Sequence, residues 1–118
     1  MSSSNLSSRI LPETVRTLAA AAVVAGYTAV GTALTNASRV LVFQNLTDFS
    51  VMFSWDGIND HIALPAGGQF VLDVAANKTD VSGVFNAAAG TVFYVKRIGV
   101  PTTGAVYIST FYGAFVNV

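Results

Sequence analysis

The stretch from Arg39 to Val74, RVLVFQNLTDFSVMFSWDGINDHIALPAGGQFVLDV, constrains this chain more than any other. Short β-branched and aromatic runs are cut at Asn45–Asp48, Asp56–Asp60 and Pro65–Gly68. That is the signature of consecutive hairpins, not of helices. Arg39–Asn45 is apolar on both faces, so it is expected to be buried on both sides, or buried on one and covered by a partner on the other. Ser50–Trp55 alternates with period two, placing Val51, Phe53 and Trp55 on one face and Ser50, Met52 and Ser54 on the other. The tight turn at Asn45–Asp48 predicts that these two strands pair as a hairpin.

His61–Leu64 reads as a short strand stopped by Pro65, and Gly67-Gly68 permits a reversal with positive φ. Gln69–Val74 then places Phe70, Leu72 and Val74 inward. Asn77–Gly83 reads as loop and Ala87–Gly90 as a turn into the strand Thr91–Arg97. Gly99–Gly104 is read as a long hairpin connection to Ala105–Tyr112, the most strand-like run in the chain. The pattern predicts an all-β fold: an antiparallel β-sandwich or jelly roll of seven or eight short strands.

The N-terminal part divides in two. MSSSNLSS is too poor in apolar surface to order itself, so residues 1–16 are expected to be a flexible, extended arm and 17–118 the sandwich. Pro12-Glu13-Thr14 and the alanine run would suit a helix over Glu13–Ala25. The β-branched, glycine-punctuated continuation favours extended structure at Thr14–Ala22 and Tyr27–Leu34. Thr17–Leu34, with Gly26, Gly31 and its threonines, is a poor membrane span, and Pro12 and Glu13 interrupt any signal-peptide pattern.

Composition says where such a domain works. Of 118 residues, 53% are hydrophobic and only 10% charged, against roughly 25% charged in ordinary soluble domains. A domain this small exposes much of its surface. So few charges on so much surface imply that part of it is covered by other protein. Six basic against six acidic residues, clustered no more densely than Lys96-Arg97, disfavour direct nucleic-acid binding. The chain has no cysteine, and so neither a disulfide framework nor a cysteine-based zinc site.

The residues for catalysis are thin. Asp56, Asn59 and Asp60 precede the single histidine, His61, which suggests a metal site or an acid–base pair; the simpler reading is a polar turn, and D-G-I-N-D-H is no calcium-loop spacing. Ser54 lacks a nucleophile-elbow motif, and Gly67-Gly68 lacks the lysine of a phosphate loop. No catalytic residue, metal ligand or cofactor is expected. Trp55, Tyr94, Tyr107 and Tyr112 are aromatic enough for a sugar-binding face, although core and interface packing explains them more simply.

The series Asn45-Leu46-Thr47-Asp48, Ser54-Trp55-Asp56-Gly57, Asp60-His61, Leu64–Gly68, Asp73, Asn77-Lys78, Gly90–Lys96, Pro101–Tyr107 and Phe111-Tyr112-Gly113 resembles a small group of tailed-bacteriophage virion proteins. Pro12–Leu18, Gly26-Tyr27 and Gly31-Thr32 are similar too, so the resemblance spans nearly the whole chain. It implies a structural part of the particle, decorating the head or forming the head–tail connector, with no catalytic residues and with extended chain after Arg16. The expected partners are further copies of the chain and a major capsid or portal protein, the expected location is the virion, and no membrane is involved. Leu6, Arg9, Ile10, Leu11 and Arg16 of the arm, with Asp56, Asn59, Asp60, His61, Val100 and Pro101 of two loops, are the positions expected at subunit contacts. The other reading is a carbohydrate-binding β-sandwich module.

Overall fold

The computed structural model describes residues 6–73 and 88–117. The expected loop at Asn77–Gly83, the inward position of Val74 and arm residues 2–5 fall outside them. The elements are β1 (Leu6–Pro12), β2 (Arg16–Ala19), a 3-10 turn (Ala20–Ala22), β3 (Thr28–Ala29), β4 (Ser38–Asn45), β5 (Val51–Ser54), β6 (Ile62–Leu64), β7 (Gln69–Asp73), β8 (Tyr94–Arg97) and β9 (Ala105–Asn117). The fold is all-β and antiparallel, in two sheets. One runs β1–β9–β4–β7, with β2 also on β9; the other runs β3–β8–β5–β6.

The alanine run does not make a helix. Arg16–Ala19 pairs with Ala105–Ile108 of β9, and only Ala20–Ala22 closes a helical turn. Helix propensity is a weak preference that tertiary pairing overrides. Leu18–Leu34 therefore contains strand and turn, and among the described residues no helix is long and apolar enough to cross a membrane.

The expected hairpin at Asn45–Asp48 is corrected. β4 pairs with β7 and β9, whereas β5 pairs with β6 and β8, so the chain crosses from one sheet to the other. Asn45 makes the corner. Fully buried, its amide Nδ2 donates to the carbonyls of Phe49 (2.8 Å), Pro65 (3.0 Å) and Leu64 (3.1 Å), and its Oδ1 accepts from Thr47 N (3.0 Å) and Thr47 Oγ1 (2.5 Å). Backbone bonds from Asn45 N to Gly68 O and from Gly67 N to Asn45 O tie this corner to the β6–β7 corner. Gly99–Gly104 is likewise a crossing, from β8 to β9, not a hairpin. Gly104 sits at φ +82° with the Leu46 carbonyl where a Cβ would lie, so this close approach requires glycine.

The inward faces meet in one core. Leu41 and Phe43 of β4, Val106 and Ile108 of β9, Val51 and Phe53 of β5 and Val95 of β8 are all fully buried. Phe43 is the centre, with ring centroids 5.3 Å from Phe53, 5.3 Å from Trp55 and 5.4 Å from Phe93. Val40, Val42 and Gln44 alternate outward and are only half-buried.

Candidate assembly surfaces

The Asp56–His61 loop joins β5 to β6. Asp56 Oδ1 accepts from Ile58 N (2.8 Å), Asn59 N (2.9 Å) and Ser54 Oγ (2.9 Å), and Oδ2 accepts from Asn59 Nδ2 (2.8 Å). The backbone N–H of Asn59, then that of Ile58, holds its carboxyl far below the usual carboxylate range. This carboxylate organises its own turn. Trp55 N donates to His61 Nδ1 (3.0 Å). Asp60 turns the other way. It accepts from the Tyr27 hydroxyl (2.5 Å) and pairs with Lys96 Nζ (3.0 Å), which also lies 4.8 Å from the Tyr27 ring centroid. Those contacts, Tyr27 first, lower the Asp60 pKa. Burial and then Asp60 raise that of Tyr27. Among the described residues no three His, Cys, Asp or Glu side chains converge on a metal position.

The four donors around Asp56 make a clear expectation. In Asp56→Ala the amides of Ile58 and Asn59 should exchange with solvent markedly faster, with the global unfolding midpoint little changed. Amide exchange by NMR checks this; unchanged protection at both amides would show that the loop does not depend on the carboxylate.

Between the edge strands β6 and β7 lies an open cleft of about 450 Å³, lined by Trp55, Asp56, His61, Ile62, Phe70 and Leu72. The Trp55 ring packs edge-on to His61 and Phe93, 5.6 Å from each. Its indole N–H, the handle a sugar hydroxyl would use, is buried without a partner. Tyr94 lies against Gly57, and Tyr107 is on the outer face of the other sheet. The aromatic side chains named from sequence therefore share no single flat platform.

The arm residues separate into two groups. Leu6, Arg9, Ile10 and Leu11 pair with Asn117, Ala114, Gly113 and Tyr112 of β9, so Leu6–Pro12 of the arm is extended and laid on the chain's own last strand. Ile10 is exposed. Arg16 is different: at 6% exposure it has no surface to offer a neighbour. Its Nε donates to Thr32 O (2.6 Å), Nη1 to Thr110 Oγ1 (3.0 Å), and Nη2 to Glu13 Oε1 (2.8 Å) and Ala33 O (3.0 Å). Glu13 also accepts from Asn36 N (2.8 Å) and Asn36 Nδ2 (3.0 Å). Arg16 is thus packed into the body of the sandwich.

Val100 and Pro101 lie in the β8–β9 crossing, where Val100 is exposed and Pro101 is buried. The crossings β4–β5 and β8–β9 lie side by side: Ile98 N and Gly99 N donate to Ser50 O, and Leu46 N to Ala105 O. Thr102 N (2.8 Å), Thr102 Oγ1 (2.5 Å) and Thr103 N (3.2 Å) bind the Asp48 carboxylate. Those bonds, the Thr102 hydroxyl's first, hold its pKa down to about 2. Arg97 N donates to Val24 O, joining the β2–β3 connection to the same end. Leu46 (51% exposed), Phe49 (45%), Ile98 (55%), Val100 (56%) and Val24 (44%) are thus exposed on three connections that the backbone ties to one end. Asp48 is the one charged residue in these three connections, with Arg97 at the end of β8 beside them. Sequence reading missed Val24, Leu46, Phe49 and Ile98 as surface. The available signal was the presence of large apolar residues inside segments otherwise built of turn residues.

Comparison with protein-family models, curated proteins and solved structures returns no match to this chain.

Proposed function

We propose that this chain is a structural subunit of a tailed-bacteriophage virion, bound on the head surface as a decoration protein or at the portal neck as a connector. The observation that carries the reading is the apolar end formed by Leu46, Phe49, Ile98, Val100 and Val24. Clustered large apolar side chains left exposed mark interaction sites. Here they are fixed on rigid strand crossings, so little ordering cost attends their burial. The strand order supports the same reading. Four strands read β2–β9–β4–β7 and face β3–β8–β5–β6, with successive strands from β2 onward crossing between sheets except at the β5–β6 hairpin, an arrangement we read as a jelly roll, an architecture that viral capsid domains use. The function is mechanical: a stiff sandwich presents a mainly apolar end that seals against a neighbour.

The test is the protein content of gradient-purified particles grown from a phage carrying this sequence. The wild-type chain should be present in many copies per particle. The double variant Leu46→Asp/Ile98→Asp should fold with an unchanged unfolding midpoint and be depleted at least tenfold. Particles free of the wild-type chain would overturn the virion reading; particles fully loaded with the variant would show that another surface attaches it.

A further inference from the structure

His61 is the single histidine of the chain, and its ring holds a backbone group. Trp55 N lies 3.0 Å from His61 Nδ1. A backbone N–H can only donate, so Nδ1 must carry a lone pair: the ring is neutral, with its hydrogen on Nε2. Two further contacts set its position. His61 N donates to Phe53 O (3.1 Å), anchoring the residue's backbone to β5. The imidazole packs edge-on to the Trp55 indole, 5.6 Å between centroids. The ring thus ties the end of the β5–β6 loop back to its beginning and forms one wall of the cleft beside Trp55. Adding a proton removes that lone pair. An imidazolium is a donor at both nitrogens, so Nδ1–H and Trp55 N–H would face each other, and neither would find an acceptor.

We infer that His61 is an acid-operated latch: neutral, it holds the Trp55 peptide and covers one edge of the indole; protonated, it releases Trp55 N and turns to the carboxylates of its own loop. The surrounding charges set that direction. Asp60, the preceding residue, is coupled to His61 electrostatically, and Asp56 lines the same cleft. Both carboxylates stay ionised in mild acid. The Asn59 and Ile58 amides hold Asp56 below the ordinary carboxylate range, and the Tyr27 hydroxyl, then Lys96, do the same for Asp60. Lys96 of β8 pairs with Asp60 (3.0 Å), and Tyr94 of the same strand lies against Gly57. β6 and β7 bring Ile62, Phe70 and Leu72 to the cleft, none of them titratable. Release stays local. The His61 backbone remains on Phe53 O and the donors around Asp56 keep the turn, so rotation of one side chain is enough. Histidine is the side chain whose charge ordinarily changes between about pH 5 and 8, a range in which both carboxylates keep theirs. The latch does not depend on the assembly reading.

NMR of the isotope-labelled full-length chain tests this through amide exchange and the imidazole nitrogen shifts, with His61→Asn and His61→Ala beside wild type. Asparagine offers a carbonyl oxygen where Nδ1 stands and does not titrate, so it keeps the bond at any pH; alanine lacks it at any pH. In wild type the imidazole hydrogen should sit on Nε2 at about pH 8. Protection of the Trp55 amide, relative to its intrinsic exchange, should fall about fivefold or more between about pH 8 and about pH 5, in step with protonation of the ring. It should stay high throughout in His61→Asn and low throughout in His61→Ala, while the Ile58 and Asn59 amides keep their protection in all three. Acrylamide quenching of Trp55, the one tryptophan, should rise over the same range in wild type alone. Constant Trp55 protection while the imidazole protonates would overturn the inference. So would a ring still neutral at about pH 5, equal Trp55 protection in wild type and His61→Ala at high pH, or the wild-type pH dependence in His61→Asn.

Discussion

Arg16→Ala is expected to cost about 3–5 kcal/mol of unfolding free energy, the range for breaking a buried ion pair by removing one partner. In a domain of this size that lowers the melting temperature by on the order of 10–20 °C. The loss is large because one guanidinium serves three segments. It reaches the Thr32 and Ala33 carbonyls, the Thr110 hydroxyl of β9 and the Glu13 carboxylate ahead of β2. Without it, two carbonyls lose their side-chain donor and a carboxylate that is 9% exposed loses its countercharge. Arg16→Lys keeps the charge but not the planar fork, so it should recover less than half of the loss. Urea denaturation of the three proteins checks this, and a midpoint for Arg16→Ala equal to wild type would mean that water replaces the guanidinium.

The same cluster sets an acid limit. Burial alone would raise the Glu13 pKa, but hydrogen bonds from Arg16, Asn36 and Thr35 outweigh it and the folded value lies below the ordinary 4.5. A carboxyl with a depressed folded pKa contributes its stabilisation above the unfolded value and loses it as the pH falls through the folded one. The stability difference between wild type and Glu13→Gln should therefore be full at neutral pH and shrink below about pH 4.5.

How much of this was legible depends on what each residue type announces. Alternation in Ser50–Trp55 and the double apolar face of Arg39–Asn45 announced strands, because side-chain period follows directly from backbone geometry. Which sheet each strand joins was not announced. A four-residue break such as Asn45–Asp48 suits a hairpin and a corner between sheets equally well, and the difference lies in whether Asn45 is buried, which no local pattern records. Arg16 misled for a related reason. Arginine is usually a surface residue, and the carbonyls that enclose it come from residues 32 and 33, brought in by the fold. The apolar end is a third case: Leu46 and Ile98 are far apart in sequence, and only the adjacent crossings put them on one surface.

Asn45 gives the sharpest test of that corner, because aspartate has nearly its shape and the opposite hydrogen-bonding sense. Asn45→Ala removes the donor from three carbonyls, those of Phe49, of Leu64 at the end of β6 and of Pro65 just after it, and should cost about 3 kcal/mol. Asn45→Asp should cost more at neutral pH, about 4 kcal/mol or above, since a buried carboxylate would face the oxygens of Phe49, Leu64 and Pro65. The two variants also part in their pH dependence. The carboxyl introduced at this position is neutral in both states at low pH and penalised once it ionises, so its folded pKa is raised and its penalty grows as pH rises past the unfolded value near 4. The deficit of Asn45→Asp should thus shrink toward that of Asn45→Ala, or below it, as the pH is lowered to about 3, while Asn45→Ala keeps a constant distance from wild type. Unfolding midpoints for the three proteins at pH 7 and pH 3 decide the matter. An aspartate variant as stable as wild type at pH 7 would mean that the corner admits water and that the crossing between sheets is held by backbone bonds alone.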